Sequence, residues 1–107
     1  MADKTVVQEA IARLLDGESL SRETARRTME AIMDGEATPA QIGALLAAMR
    51  LKGETVDEVA GLAAGMRAKA DRVETVRDGL LDTCGTGGDG KHTINISTAS
   101  AIVAAAG

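Results

Sequence analysis

Between Thr5 and Ala70 hydrophobic residues recur at the three- and four-residue spacing of an α-helix, and each recurrence is bracketed by residues that start or stop one. Val7, Ile11, Leu14 and Leu15 run to Gly17. Ser21 is placed to cap a second segment, with Ala25, Met29 and Ile32 on its face and Gly35 at its exit. Thr38-Pro39-Ala40-Gln41 opens a third: a hydroxyl at the cap, proline where the first helical N–H needs no partner, and a glutamine able to bond back. Its stripe is Ile42, Leu45, Leu46 and Met49, and Arg50 and Lys52 complement the helix dipole before Gly53. Thr55-Val56-Asp57-Glu58 repeats the capping box ahead of Val59, Leu62, Ala63 and Met66. The pattern predicts four short helices joined by short loops, packed as antiparallel neighbours.

Composition limits what such a chain does. With 107 residues there is room for one ordinary domain and none for a second full-sized core. The sequence is 45% hydrophobic and 26% charged, which is globular and not disordered, but it has no Phe, Trp or Tyr. Recognition of nucleic acid by base stacking has only the His92 imidazole to use, and a net charge of −4 opposes a basic footprint for nucleic acid or an anionic membrane. No stretch approaches the roughly 20 apolar residues that span a bilayer, and no secretory signal is visible. The single cysteine, Cys84, fits a reducing compartment and reads as a small buried hydrophobe. A soluble, cytoplasmic protein is expected.

Small residues crowd two of the faces: Gly43, Ala44, Ala47 and Ala48 in the third segment, Gly61 and Gly65 in the fourth. Each glycine inside a helix costs about 0.5–1 kcal/mol relative to alanine, so their spacing implies a closely approaching backbone, from this chain or from a second subunit. The methionines at 29, 33, 49 and 66 read as core or interface filler.

After Asp71 the pattern changes. Residues 71–79 are charged and lack a sustained apolar face, the mark of a linker. Leu80-Leu81-Asp82-Thr83-Cys84 is a short apolar run flanked by glycine, which predicts a buried strand. Gly85-Thr86-Gly87-Gly88-Asp89-Gly90 follows, then Lys91-His92-Thr93-Ile94-Asn95-Ile96, and Ser97-Thr98 heads an alanine-rich helical run.

Four glycines in six residues allow successive N–H groups to converge on an anion, and phosphate is the usual guest. The loop matches G-x-G-x-x-G, but the residues after it are β-branched rather than helix-opening and the acidic residue about twenty positions later is absent. It also matches G-x-x-x-x-G-K, but His92 stands where a P-loop needs Ser or Thr. A third reading uses the whole stretch. The hydroxyls of Ser97 and Thr98 and the first N–H groups of the last helix form an anion or metal-phosphate site together with the glycine loop. Asn95 then suits a ribose hydroxyl or a phosphate oxygen, and Asp89 suits ribose hydroxyls, a cation or the loop's own donors. The competing reading is an ordinary turn followed by Ser97 acting as a helix cap.

The run Asp82-Thr83-Cys84-Gly85-Thr86-Gly87-Gly88-Asp89-Gly90 with Thr93-Ile94-Asn95-Ile96-Ser97-Thr98-Ala99 resembles the phosphoribosyl pyrophosphate site of the anthranilate phosphoribosyltransferase family. The resemblance implies a mainly α chain: a four-helix N-terminal helical domain over residues 1–70, a linker over 71–79, and over 80–107 the first strand, glycine-rich loop and helix of a truncated α/β domain. It implies transfer of a phosphoribosyl group from phosphoribosyl pyrophosphate to anthranilate, in tryptophan biosynthesis. Gly85, Gly88, Asp89, Thr93, Asn95, Ile96, Ser97 and Thr98 would bind phosphoribosyl pyrophosphate, Ser97 would also be a ligand of Mg2+, and Gly85 would border the anthranilate site. No residue of the chain is implied as an acid or base. Homodimerisation through the helical domain is implied as well.

Family members continue past the alanine-rich helix with a Lys-His-Gly-Asn segment, an anthranilate-binding arginine and a magnesium-holding acidic pair. The chain is therefore expected to be the N-terminal portion of a longer enzyme and inactive alone. Two alternatives stand beside this reading. One is a pyrimidine nucleoside phosphorylase, although its loop carries Lys-His-Ser where Asp82-Thr83-Cys84 stand here; the other is a helical interaction module that retains a phosphate loop.

Overall fold

Four hydroxyls start the first four helices. In the computed structural model, which describes residues 4–76, 78–85, 90 and 95–107, the Oγ1 or Oγ of Thr5, Ser21, Thr38 and Thr55 accepts the N–H three residues on. The helices are α1 (Val6–Leu15), α2 (Arg22–Met33), α3 (Pro39–Lys52), α4 (Val56–Lys69) and α5 (Ile96–Ala106). At Thr5, Thr38 and Thr55 the bond is reciprocal, because Gln8, Gln41 and Glu58 accept the N–H of the cap in return. The exits are equally local. Gly17 and Gly35 take φ of 79° and 78°, where a Cβ is disfavoured, and the next residues fold back: Glu18 donates to the Arg13 carbonyl at 2.9 Å and Glu36 to that of Ala31 at 3.0 Å.

The chain divides into two units, Met1–Arg72 and Val73–Gly107. In the first, α1 packs on α3 and on α2, and α2 packs along α4. The core is Ala10, Leu14, Leu20, Ala25, Leu45, Ala48 and Met49, with Ile11, Ile32 and Leu62 against it. Burying a side chain such as Leu45 contributes about 2 kcal/mol. With no aromatic ring to fill space, these helices close the gap by approaching each other.

That approach decides which face of α4 is inside. A Cβ on Gly61 would lie 2.3 Å from the Arg22 carbonyl oxygen and 2.7 Å from Ala25 Cβ; one on Gly65 would lie 2.6 Å from the Arg26 carbonyl oxygen. The neighbour implied by these glycines is therefore α2 of the same chain. Gly43 in α3, by contrast, faces open space. The expected apolar faces are corrected accordingly. Glu58, Gly61 and Gly65 are buried, while Val59 (54% exposed) and Met66 (50%) face outward, as do Leu15 and Leu46. Proximity of backbones, which depends on size, outweighs hydrophobicity in choosing the face.

Glu58 is the largest polar group in this core, and its carboxylate is fully partnered. Oε2 accepts the N–H of Leu20 at 3.0 Å, while Oε1 accepts the Thr55 N–H and the Lys52 ammonium, each at 2.8 Å. Lys52, itself nearly buried, also donates to the Gly53 carbonyl. Burial alone pushes the Glu58 carboxyl up, but the bonds from Leu20, Lys52 and Thr55 outweigh it and hold it at about 2.

In the Val73–Gly107 unit, α5 is the helix and residues 80–84 are not helical. The expected strand there does not form. Among the described residues no strand is present, and Leu80 and Leu81 are 64% and 71% exposed. A strand is defined by its partner's hydrogen bonds, and the apolar run has none of that kind among the described residues. The described chain is thus mainly helical.

Candidate functional site

The start of the glycine-rich loop and the start of α5 meet through three residues. Asp82 Oδ1 accepts the Cys84 N–H at 2.8 Å, a local turn that directs the next amide onward. The Gly85 N–H then donates to Ser97 Oγ at 2.9 Å, and Thr83 Oγ1 donates to the Ser97 carbonyl at 3.0 Å. So Gly85, the first loop glycine, and Ser97, twelve residues later, are brought together as the motif's spacing anticipates. Gly88, Asp89 and Thr93 lie outside the described residues, as do Lys91 and His92.

The cap of α5 is Asn95, not Ser97. Its Oδ1 accepts the Thr98 N–H at 3.1 Å, and Ser97 is the second residue of the helix. This assignment has a chemical consequence. Ser97 is released from capping, so its hydroxyl keeps a proton to donate and a lone pair to share after accepting from Gly85. Asn95 has committed its amide oxygen to the helix. The N–H groups of Ile96 and Ser97 have no partner inside the helix by its geometry, and the positive end of the dipole lies there. Ile96 and Thr98 are exposed beside them. Cys84, expected to be buried, is exposed at this edge.

Among the described residues nothing around Gly85 requires glycine. A Cβ there would meet Ser97 Oγ at 3.5 Å, an ordinary contact, and its φ is not in the left-handed region. The Thr83 bond is the feature that sequence reasoning missed. A hydroxyl two residues before the first loop glycine was the available signal, but it reads equally well as a β-branched strand residue.

The donor set also bears on magnesium. Among the described residues no group of three or more His, Cys, Asp or Glu side chains converges to hold a metal ion. Ser97 instead offers one hard, neutral oxygen. That fits Mg2+, which keeps several waters and is typically bound through few protein oxygens plus the phosphates of its substrate. Among the described residues no helix is long and apolar enough to cross a membrane.

Comparison with known proteins adds a family likeness to this geometry. The helical bundle domain of the glycosyl transferase family matches residues 8–70, and the a/b domain of the same family matches residues 77–107. An anthranilate phosphoribosyltransferase of Anaeromyxobacter dehalogenans (strain 2CP-C) is 63% identical over 100 residues, covering 94% of this chain and 30% of the relative. Those of Brevibacillus brevis and Acetivibrio thermocellus are 60% and 52% identical, covering 91% and 95% of this chain but 28% and 30% of theirs. The chain thus spans about 30% of the length of the curated relatives it matches. No solved structure matches it.

Proposed function

The chain belongs to the glycosyl transferase family, and on that premise we propose that it serves an anthranilate phosphoribosyltransferase, binding phosphoribosyl pyrophosphate at the junction of the glycine-rich loop and α5. In this reading residues 1–70 are the helical domain, 71–79 the linker and 80–107 the start of the donor-binding domain. The enzyme acts in tryptophan biosynthesis in the cytoplasm.

One observation carries the proposal: the Gly85 N–H reaches Ser97 Oγ at 2.9 Å, so both halves of the motif face one place. In the reaction the amine of anthranilate attacks C1 of the ribose. The N–C1 bond forms as the C1–O bond to pyrophosphate breaks, the electron pair departs with pyrophosphate, and the nitrogen sheds its extra proton to water. The chain's task is therefore to position a polyanion and to meet negative charge as it develops. The N–H groups of Ile96 and Ser97 and the hydroxyls of Ser97 and Thr98 are donors of that kind, and the Asn95 amide reaches a ribose hydroxyl or phosphate oxygen. No acid or base is asked of this chain. Magnesium, when bound, supplies positive charge to the leaving pyrophosphate, with Ser97 Oγ as one of its oxygen ligands.

Calorimetric titration with Mg2+ and phosphoribosyl pyrophosphate tests this. Binding heat that disappears in Ser97→Ala is the expected result; silence at millimolar ligand overturns the reading.

The same proposal includes a homodimer formed through the helical domain. Its support is the outward apolar face of the first unit, where Leu46, Val59 and Met66 join Met29, Met49 and Leu62 around an open groove of about 320 Å³. Sedimentation equilibrium of the chain and of Val59→Asp distinguishes dimer from monomer.

A further inference from the structure

We infer that Thr83 is a positioning residue for the donor site, acting through Ser97, an inference that rests on the reading of Ser97 proposed above. Among the described residues of Val73–Gly107, Thr83 and Ser97 are the two that are half-buried, and every other one is exposed. What packing the described residues of this unit have therefore converges on that pair. The contact is a two-point hold. Thr83 Oγ1 donates to the Ser97 carbonyl at 3.0 Å while the Gly85 N–H donates to the same residue's Oγ at 2.9 Å.

Two bonds from one short segment to the backbone and side chain of one residue fix more than distance. A single Gly85–Ser97 bond leaves the start of α5 free to pivot about it. The second bond, to the carbonyl, removes that rotation and sets the direction in which the Ser97 hydroxyl and the neighbouring helix N–H groups point. Asp82, by accepting the Cys84 N–H at 2.8 Å, stiffens the turn that carries both anchors. Thr83 has its hydroxyl proton committed to the Ser97 carbonyl, so its effect on the donor site is exerted through Ser97.

The test uses Thr83→Val, which keeps the shape and removes the donor, and Thr83→Ser, which keeps the donor. Hydrogen exchange of the Gly85 amide and calorimetric affinity for phosphoribosyl pyrophosphate with Mg2+ are the readouts. Loss of one neutral hydrogen bond is worth about fivefold. Thr83→Val should speed Gly85 exchange and weaken the affinity by about that factor, and Thr83→Ser should restore both. Rescue of both readouts by Thr83→Ser, which returns the hydroxyl without the methyl, marks dependence on the bond to the Ser97 carbonyl, which a merely structural role would not produce. Unchanged Gly85 exchange in Thr83→Val overturns the inference. If the parent chain binds no donor at all, the functional reading fails, yet Gly85 exchange still decides whether Thr83 holds Ser97.

Discussion

In the Met1–Arg72 unit side chains as large as Leu45 and Val7 are sealed from solvent, and even a carboxylate, Glu58, is wholly enclosed; among the described residues of Val73–Gly107 only Thr83 and Ser97 reach half-burial. The first unit places its residues by volume, with glycines admitting one helix to the backbone of another. The second places them by the direction of a few hydrogen bonds to a loop and a helix end. Volume resists displacement from every side, whereas a hydrogen bond resists it along one line. The former suits a structural role, and the latter suits the adaptable donor site proposed above.

The contrast is strongest at Glu58. Glu58→Ala leaves Lys52 nearly buried without its carboxylate, and the chain should lose about 3–5 kcal/mol of stability. With no Phe, Trp or Tyr to fluoresce, urea denaturation followed by far-ultraviolet circular dichroism is the measurement. The pH dependence has a defined sign. The Glu58 carboxyl sits at about 2 in the folded chain against an ordinary 4.5, so its contribution is complete above 4.5 and is lost as pH falls toward 2. Parent stability should decline through that window, and Glu58→Gln should remove this part of the decline.

Gly61→Ala comes next. Its Cβ would press on the Arg22 carbonyl, and we expect a loss of about 2 kcal/mol by the same denaturation despite alanine's better helix propensity. A stabilised Gly61→Ala would break the volume side of the comparison. On the other side, Asn95→Ala should cost about 1 kcal/mol of α5 stability as its cap is lost, visible as faster exchange of the Thr98 amide with the first unit unaffected. The smallest effect belongs to Arg22→Ala. Its partner Asp57 and Arg22 itself are mostly exposed, so the pair should be worth about 0.5 kcal/mol or less, falling with added salt.

The helix boundaries were legible because a cap is a local device. Thr5, Ser21, Thr38 and Thr55 each bond within three residues, and Gly17 and Gly35 end helices through their own torsions. The inner face of α4 was not legible from hydropathy. Val59, Leu62, Ala63 and Met66 are the apolar set, but contact with α2 is made by the residues with least side chain, whose importance depends on a neighbour distant in sequence. The run 80–84 failed for a related reason, since its apolar character predicts a strand only where a partner supplies the hydrogen bonds. At the site, the approach of Gly85 to Ser97 was readable from the motif. The transfer of capping from Ser97 to Asn95, and the Thr83 bond, depend on a two-residue shift in where a helix begins, which propensity does not resolve.

Glu58 joins two places far apart in sequence: the Leu20 N–H before α2 on one oxygen, and on the other the Lys52 ammonium at the end of α3 with the Thr55 N–H just beyond it. Neither connection can open while its partner stays shut without stranding a buried charge. Opening at that end of the bundle is thereby expected to be concerted, since freeing one connection alone costs the shared carboxylate its partners.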